Sequence, residues 1–307
     1  MKTVALIGAG AVGAYFIWGM QDALGADFCV VAQGERKTRL ERDGLWINDR
    51  LYHPLVKTPE EAHGVDLLLV STKYGALSSI LPDIAAVVDD HTAVISLLNG
   101  VDSEEIIGGY IGMEHMLYAV MRIAAERDQN RIFFDPEATQ GVYFGEAHHQ
   151  SPTPRVQEVS DLLARTRVHH QFFPDILTTL WVKFAGNVSN NLPQAILGAG
   201  VGIYLVSTHA AFIAQKMWDE VARLAQTKGI DVGPFEPEAW AGRKNARFST
   251  LQDLDHKRHT EVDMLAGTVI RLSQEAGLAA PYCTFAYHAI KALEEKNDGR
   301  FDFDTMC

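Results

Sequence analysis

The sequence predicts an α/β chain, with a doubly wound parallel sheet in its first part and an all-helical second part. Three observations carry this. Short β-type apolar runs alternate with helical segments over the first 170 residues or so, the first run passes through a glycine-rich turn straight into a helix, and no strand-like alternation follows Pro174-Asp175. With 307 residues, 47% of them hydrophobic and 21% charged, the chain is long enough for two cores, which we place in domains 1–170 and 171–307.

In order, the run 3–7 leads into Gly8-Ala9-Gly10-Ala11-Val12-Gly13 and a helical segment to residue 25. A Gly-x-Gly-x-x-Gly turn between a strand and a helix is a dinucleotide fingerprint of the Rossmann type. Gly8 permits the tight turn, Gly10 the approach of a pyrophosphate, and Gly13 close helix–strand packing, while the backbone at Ala11 and Val12 opens the helix toward the phosphates. The next strand, 28–32, ends at Gln33-Gly34-Glu35-Arg36-Lys37. A ribose hydroxyl pair is read by Asp or Glu at this place and a 2′-phosphate by Arg or Lys. Gln33 is neutral, and Arg36 or Lys37 suits a phosphate, so the stretch favours NADP with NAD as the alternative; both cations also suit a solvated helix turn.

The strand 65–72 is apolar almost throughout, as strands covered on both faces are, and ends at Lys73-Tyr74; the strand 92–98 ends at Asn99-Gly100. Ligands of open parallel sheets lie beyond such strand ends, which makes Lys73 and Asn99 candidates to meet the cofactor; a loop charge and a plain turn are the less favoured readings. The stretches 115–124, 131–134 and 140–144 are expected to complete the sheet, followed by a helix at 155–165 and a last strand at 169–173. Helices are then expected at 176–206, 208–228, 237–243, after Phe248, at 260–276 and at 284–295.

The formal charge of −12 argues against nonspecific nucleic-acid binding. Cys29, Cys283 and Cys307 are scattered and odd in number, and His148-His149 and His169-His170 lack partners at ligand spacing, so no metal is expected and the thiols read as reduced. The first apolar run is too short for a signal-peptide core and no run approaches the roughly 18 residues of a membrane span, so a cytoplasmic protein is expected.

Two constellations in the second half carry chemistry. At about 100° per residue, Lys183, Asn187 and Asn191 share one helix face, in a segment whose Trp181, Phe184, Ala185 and Val188 call for burial. An ammonium held on such a face is a candidate proton donor. Ser249-Thr250-Leu251-Gln252 has the form of a capping box, and Arg258-His259-Thr260-Glu261-Val262-Asp263 is a charged cluster opening an apolar helix; Glu261 also suits a first-turn acid.

Taken together, the Gly8/Gly10/Gly13 turn, Asn99-Gly100, Trp181-x-Lys183-x-x-x-Asn187-x-x-x-Asn191, and Ser249-x-Leu251-Gln252-Asp253 ahead of His259-Thr260-Glu261-x-Asp263 resemble the ketopantoate reductase (2-dehydropantoate 2-reductase) family over the full chain. The resemblance implies a Rossmann domain, an all-helical domain and an active site in the cleft between them. It implies hydride transfer from NADPH to a 2-keto acid, ketopantoate giving (R)-pantoate on the route to pantothenate and coenzyme A. Lys183 would be the general acid, and Glu261 would accept from the substrate hydroxyl and help orient Lys183. Asn187 and Asn191 would line the substrate site, Ser249 would hold the carboxylate, and Lys73 and Asn99 would sit where nicotinamide and substrate meet. The sequence departs from the pattern at Gln33, where arginine is common, at Ala266-Gly267, where Asn-Gly is common, and at Asn245, one position out of register. Relatives that reduce branched or aromatic 2-keto acids to D-2-hydroxy acids, often with NADH, are the alternative. A homodimer is compatible with the apolar helices.

Overall fold

The structure, a computed structural model, describes residues 1–236 and 244–302, and the expected helix 237–243 lies outside them, as does Cys307. The chain divides into two compact units, Met1–Leu177 and Thr178–Cys307.

The first unit runs β1 (Val4–Ile7), α1 (Ala11–Leu24), β2 (Phe28–Val31), α2 (Gly34–Asp43), β3 (Leu45–Ile47), β4 (Arg50–Tyr52), β5 (Val56–Lys57), β6 (Leu67–Val70), α3 (Leu77–Val87), β7 (Ala93–Ser96), α4 (Ser103–Ile111), β8 (Met116–Arg122), β9 (Ala125–Asp128), β10 (Arg131–Phe134), β11 (Gly141–Gly145), α5 (Pro154–Leu163) and β12 (His170–Phe172). Eight strands form one sheet in the order β12-β11-β8-β7-β6-β1-β2-β5. It is parallel except where β11 meets β8. Its residues alternate between two cores. Val4 and Leu6 pack with Tyr15, Phe16 and Ile17 of α1 and with Val156 and Val159 of α5, whereas Ala5 and Ile7 pack with Ile80 and Ile84 of α3 and with Ile107 of α4. Helices on both faces explain why these strands are apolar throughout.

The first unit ends at Leu177, after β12 has paired in register with β11, Val142 opposite His170. One expectation changes here. The stretch 131–134 does not complete the main sheet: β10 belongs to a separate four-stranded sheet, β4-β3-β10-β9. Its exposure alternates, with Ile132 and Phe134 buried and Arg131 and Phe133 exposed, the mark of a strand covered on one face.

In the second unit α6 (Ile176–Leu197), which begins at the boundary, is followed by α7 (Ile203–Val206), α8 (Thr208–Thr227), α9 (Ser249–Asp255), a π-helical turn Asp263–Gly267, α10 (Thr268–Glu275) and α11 (Pro281–Asn297). The expected helix 176–206 is therefore two. Gly198 takes φ +65°, and residues 200–202 instead bond across to 244–246, Val201 N–H to Ala246 O at 2.9 Å and Gly202 N–H to Lys244 O at 2.8 Å. The expected helix 260–276 begins with the π turn. No strand occurs among the described residues of this unit, and no described helix is long and apolar enough to cross a membrane.

Candidate active site

At the carboxyl ends of the parallel strands, β1 delivers Gly8, β2 delivers Gln33, β6 delivers Ser71 to Lys73, and β7 leads to Asn99. Gly8 has φ +101°, and a Cβ there would lie 2.7 Å from the Ser71 carbonyl. At Gly13 a Cβ would lie 2.0 Å from Gly8 O, so helix and strand meet with no room for a methyl group. The Ser71 hydroxyl locks the turn by donating to Gly8 O at 2.6 Å. Gly10 differs: a Cβ there would meet nothing nearer than Ser71 O at 4.0 Å. Packing does not demand glycine at that position, whereas the approach of a ligand to the backbone does. Gly10 is also the N-cap of α1 and makes no side-chain cap, so the first N–H groups of α1, at Ala11 to Gly13, have no intrahelical acceptor. This is the arrangement a dinucleotide pyrophosphate fits.

Around it, Lys73 and Asn99 are exposed, and Gly100 turns with φ +111°. Gln33, the N-cap of α2, donates from Nε2 to Asp83 Oδ1 of α3 at 2.8 Å. Arg36 is exposed, while Lys37 Nζ lies 3.0 Å from Glu61 Oε2. The Glu61 carboxyl is held below the ordinary range by the Thr58 N–H and by Lys37.

In the second unit α6 is anchored by Trp181, Phe184, Ala185 and Val188, all nearly inaccessible. Lys183 and Asn187 are half-buried and Asn191 is buried, so the three expected residues follow one another along α6 on spacings of four. A fourth polar residue, not anticipated from the sequence, joins them. Asn190 stands seven residues after Lys183, donates from Nδ2 to Gly186 O at 2.9 Å, and has an Oδ1 that is buried with no hydrogen-bond partner among the described residues. The i, i+7 spacing was the available signal. The Tyr204 hydroxyl, its pKa pushed up by burial, donates to Asn190 O at 2.5 Å and ties α7 to this face.

Ser249 opens α9 but does not cap it. The N-cap is Phe248, without a side-chain cap, and Gln252 Nε2 turns back to Arg247 O at 2.7 Å, so the capping box expected from the sequence does not form. Ser249 is exposed. Glu261 is half-buried just ahead of the π turn, its carbonyl accepting from Met264 N and Leu265 N at 3.1 Å. Such turns widen a helix locally and recur at functional sites. Its neighbours are held by α11. Glu294, 2% exposed, accepts from the Thr260 N–H and hydroxyl at 2.7 Å each, and Asp263 is bound by Tyr287 at 2.8 Å and Lys291 at 2.6 Å.

Residues 4–149 match the family described as ketopantoate reductase PanE/ApbA, and residues 175–294 its C-terminal part, ketopantoate reductase PanE/ApbA C terminal. The 2-dehydropantoate 2-reductase of Streptococcus pyogenes serotype M6 is 26% identical over 252 residues, 78% of this chain and 80% of that protein. The structure of D-mandelate dehydrogenase with NADH and anilino(oxo)acetate is similar at a TM-score of 0.78 and 21% identity, covering 96% of this chain and 99% of that one. A dimeric ketopantoate reductase from Staphylococcus aureus gives 0.76 and 18%, again covering 96% and 99%. With both halves of the chain matched in order, this is an oxidoreductase that belongs to the ketopantoate reductase PanE/ApbA family.

Proposed function

We propose that the chain is a cytoplasmic reductase that converts a 2-keto acid to its 2-hydroxy acid, with 2-dehydropantoate as substrate and (R)-pantoate as product. The observation that carries the reading is the Lys183–Asn187–Asn191 face on an otherwise buried helix, in a chain of this family. When bound, a dihydronicotinamide supplies hydride to the keto carbon. Lys183 gives its proton to the carbonyl oxygen as the negative charge develops there, and solvent later restores the ammonium. Glu261 accepts from the substrate hydroxyl and helps orient Lys183, Asn187 and Asn191 line the substrate, Ser249 donates to its carboxylate, and Lys73 and Asn99 hold the junction with the nicotinamide. Of the two cations that suit a 2′-phosphate, Lys37 is engaged by Glu61 and Arg36 is exposed.

The second reading, an NADH-dependent D-2-hydroxyacid dehydrogenase for branched or aromatic keto acids, is favoured by the neutral Gln33 and by the likeness to the D-mandelate dehydrogenase structure. Initial rates with ketopantoate, 2-ketoisocaproate and phenylglyoxylate separate the two. A dominant kcat/KM for ketopantoate supports pantoate formation; preference for the bulkier acids sinks it and supports the second reading. We also propose a homodimer, on the dimeric Staphylococcus aureus relative; a monomer mass in sedimentation at micromolar concentration would remove that.

A further inference from the structure

The residue that reads the adenosine ribose in a nucleotide-binding sheet stands about 20 residues after the last fingerprint glycine, at the end of the second strand. In this chain that residue is Gln33, and its amide does not stand alone: Nε2 donates to Oδ1 of Asp83, on α3, at 2.8 Å. We propose that Asp83, fixed in place by Gln33, selects the unphosphorylated cofactor, so that the chain prefers NADH to NADPH. The inference rests on the 8–13 turn being a dinucleotide site and is independent of which keto acid is reduced.

The chemistry follows from charge and hydrogen bonding. An ionised carboxylate only accepts, at about four lone-pair sites, and with one of them given to Gln33 it still accepts from ribose hydroxyls. A 2′-phosphate, carrying nearly two negative charges and no donor when ionised, meets the same carboxylate as repulsion. The opposing cations are poorly set against this. Lys37 is held by Glu61 at 3.0 Å, and Arg36 is exposed on α2, where water and salt screen it, beside an exposed Glu35. Asp83 is half-buried and screened less. The acid that NAD-selective frames carry on the second strand itself is here supplied from α3, through a glutamine.

The test is nucleotide binding alone, by nicotinamide fluorescence on the purified full chain at fixed ionic strength. NADH is expected to bind at least about tenfold more tightly than NADPH, and Asp83→Asn to tighten NADPH by about tenfold while moving NADH less. Asp83→Ser guards against a local effect of one replacement, and the melting temperature without nucleotide checks folding of both. Glu61→Gln, which releases Lys37, is expected to tighten NADPH and leave NADH unchanged. An NADPH preference in the natural chain overturns the inference, as does a ratio that both Asp83 variants leave unchanged. Failure to bind either nucleotide overturns the dinucleotide reading and the inference with it, whereas selective NADH binding without ketopantoate turnover leaves the inference standing and removes only the proposed substrate.

Discussion

Of three glycines in six residues, packing demands those at 8 and 13, whereas the one at 10 has room for a methyl group and is the one the proposed dinucleotide site would need. At Gly13 a methyl group would sit 2.0 Å from Gly8 O, so Gly13→Ala must push α1 off β1; we expect a loss of about 1–3 kcal/mol or more, read from urea midpoints. At Gly10 the same methyl meets only Ser71 O at 4.0 Å, with φ −83° already acceptable to alanine. Gly10→Ala should therefore keep its melting temperature and lose dinucleotide affinity by about tenfold or more. Normal binding by that variant would show that no ligand approaches the turn. On α6, Lys183→Ala is expected to lower kcat about a hundredfold or more with the fold intact, as removal of a general acid does; near-normal kcat would end the proposed mechanism. The glycines and the Lys183 face were legible because each obeys a local rule, a backbone conformation or a helical period. Asp83 was not, because its meaning lies in a hydrogen bond spanning 50 residues. Neither was Asn190, whose backbone carbonyl takes the Tyr204 hydroxyl from 14 residues away and whose Oδ1 is buried without a hydrogen-bond partner among the described residues.

Among the elements, the longer apolar runs were readable, and the shortest or most exposed strands were not. The strands β4 and β9 escaped notice because Arg50 and Leu51 or Glu126 to Asp128 lie exposed along much of their length, leaving no apolar run, and β3 because its three residues are too few to show a period. They are defined by pairing, β9 with β10 around Gln129-Asn130 and β3 with β4 around Asn48-Asp49, with Gln129 and Asn48 both at positive φ. A buried carboxylate anchors the start of α11. Glu220, 2% exposed on α8, accepts the Tyr282 and Cys283 N–H groups at 2.8 Å each and so satisfies the start of α11. Glu220→Ala strands those donors and should destabilise the chain by about 2–4 kcal/mol in chemical denaturation. Glu104 on α4 is buried, accepts from the Ser103 hydroxyl at 2.8 Å, and keeps an Oε1 with no partner among the described residues. Burial pushes its pKa up to about 7 from the ordinary 4.5. Because the folded value is the raised one, its protonated form favours the native state below about pH 4.5, and that advantage disappears as pH rises through 7. Glu104→Gln should accordingly be neutral at pH 5 and stabilising by up to about 3 kcal/mol at pH 8. Equal urea midpoints for the two proteins at pH 8 would show that Glu104 ionises without cost.

For the molecule as a whole, the alternation of apolar runs and helices up to β12, and its absence beyond, was enough to predict a sheet unit followed by a helical one. Compactness divides the chain at Leu177, just after β12 has paired with β11. This division allows ligand binding to be followed unit by unit. The nucleotide candidates Gly8 to Gly13, Gln33, Lys73 and Asn99 all lie within Met1–Leu177, and Lys183, Asn187, Asn191, Ser249 and Glu261 all lie within Thr178–Cys307. A ligand that binds only the folded state at a hundred times its dissociation constant adds about 2.7 kcal/mol to the stability of what it binds. Hydrogen exchange should register that gain where the contacts are. With dinucleotide alone, protection should rise at residues 8–14, 71–73 and 99–101, while α8, α10 and α11 exchange as before. Adding a keto acid should then slow exchange in α6 and around the 261–267 turn. Protection by dinucleotide confined to α8, α10 and α11 would contradict the assignment of the nucleotide to the first unit, because no candidate phosphate-binding backbone lies in those helices.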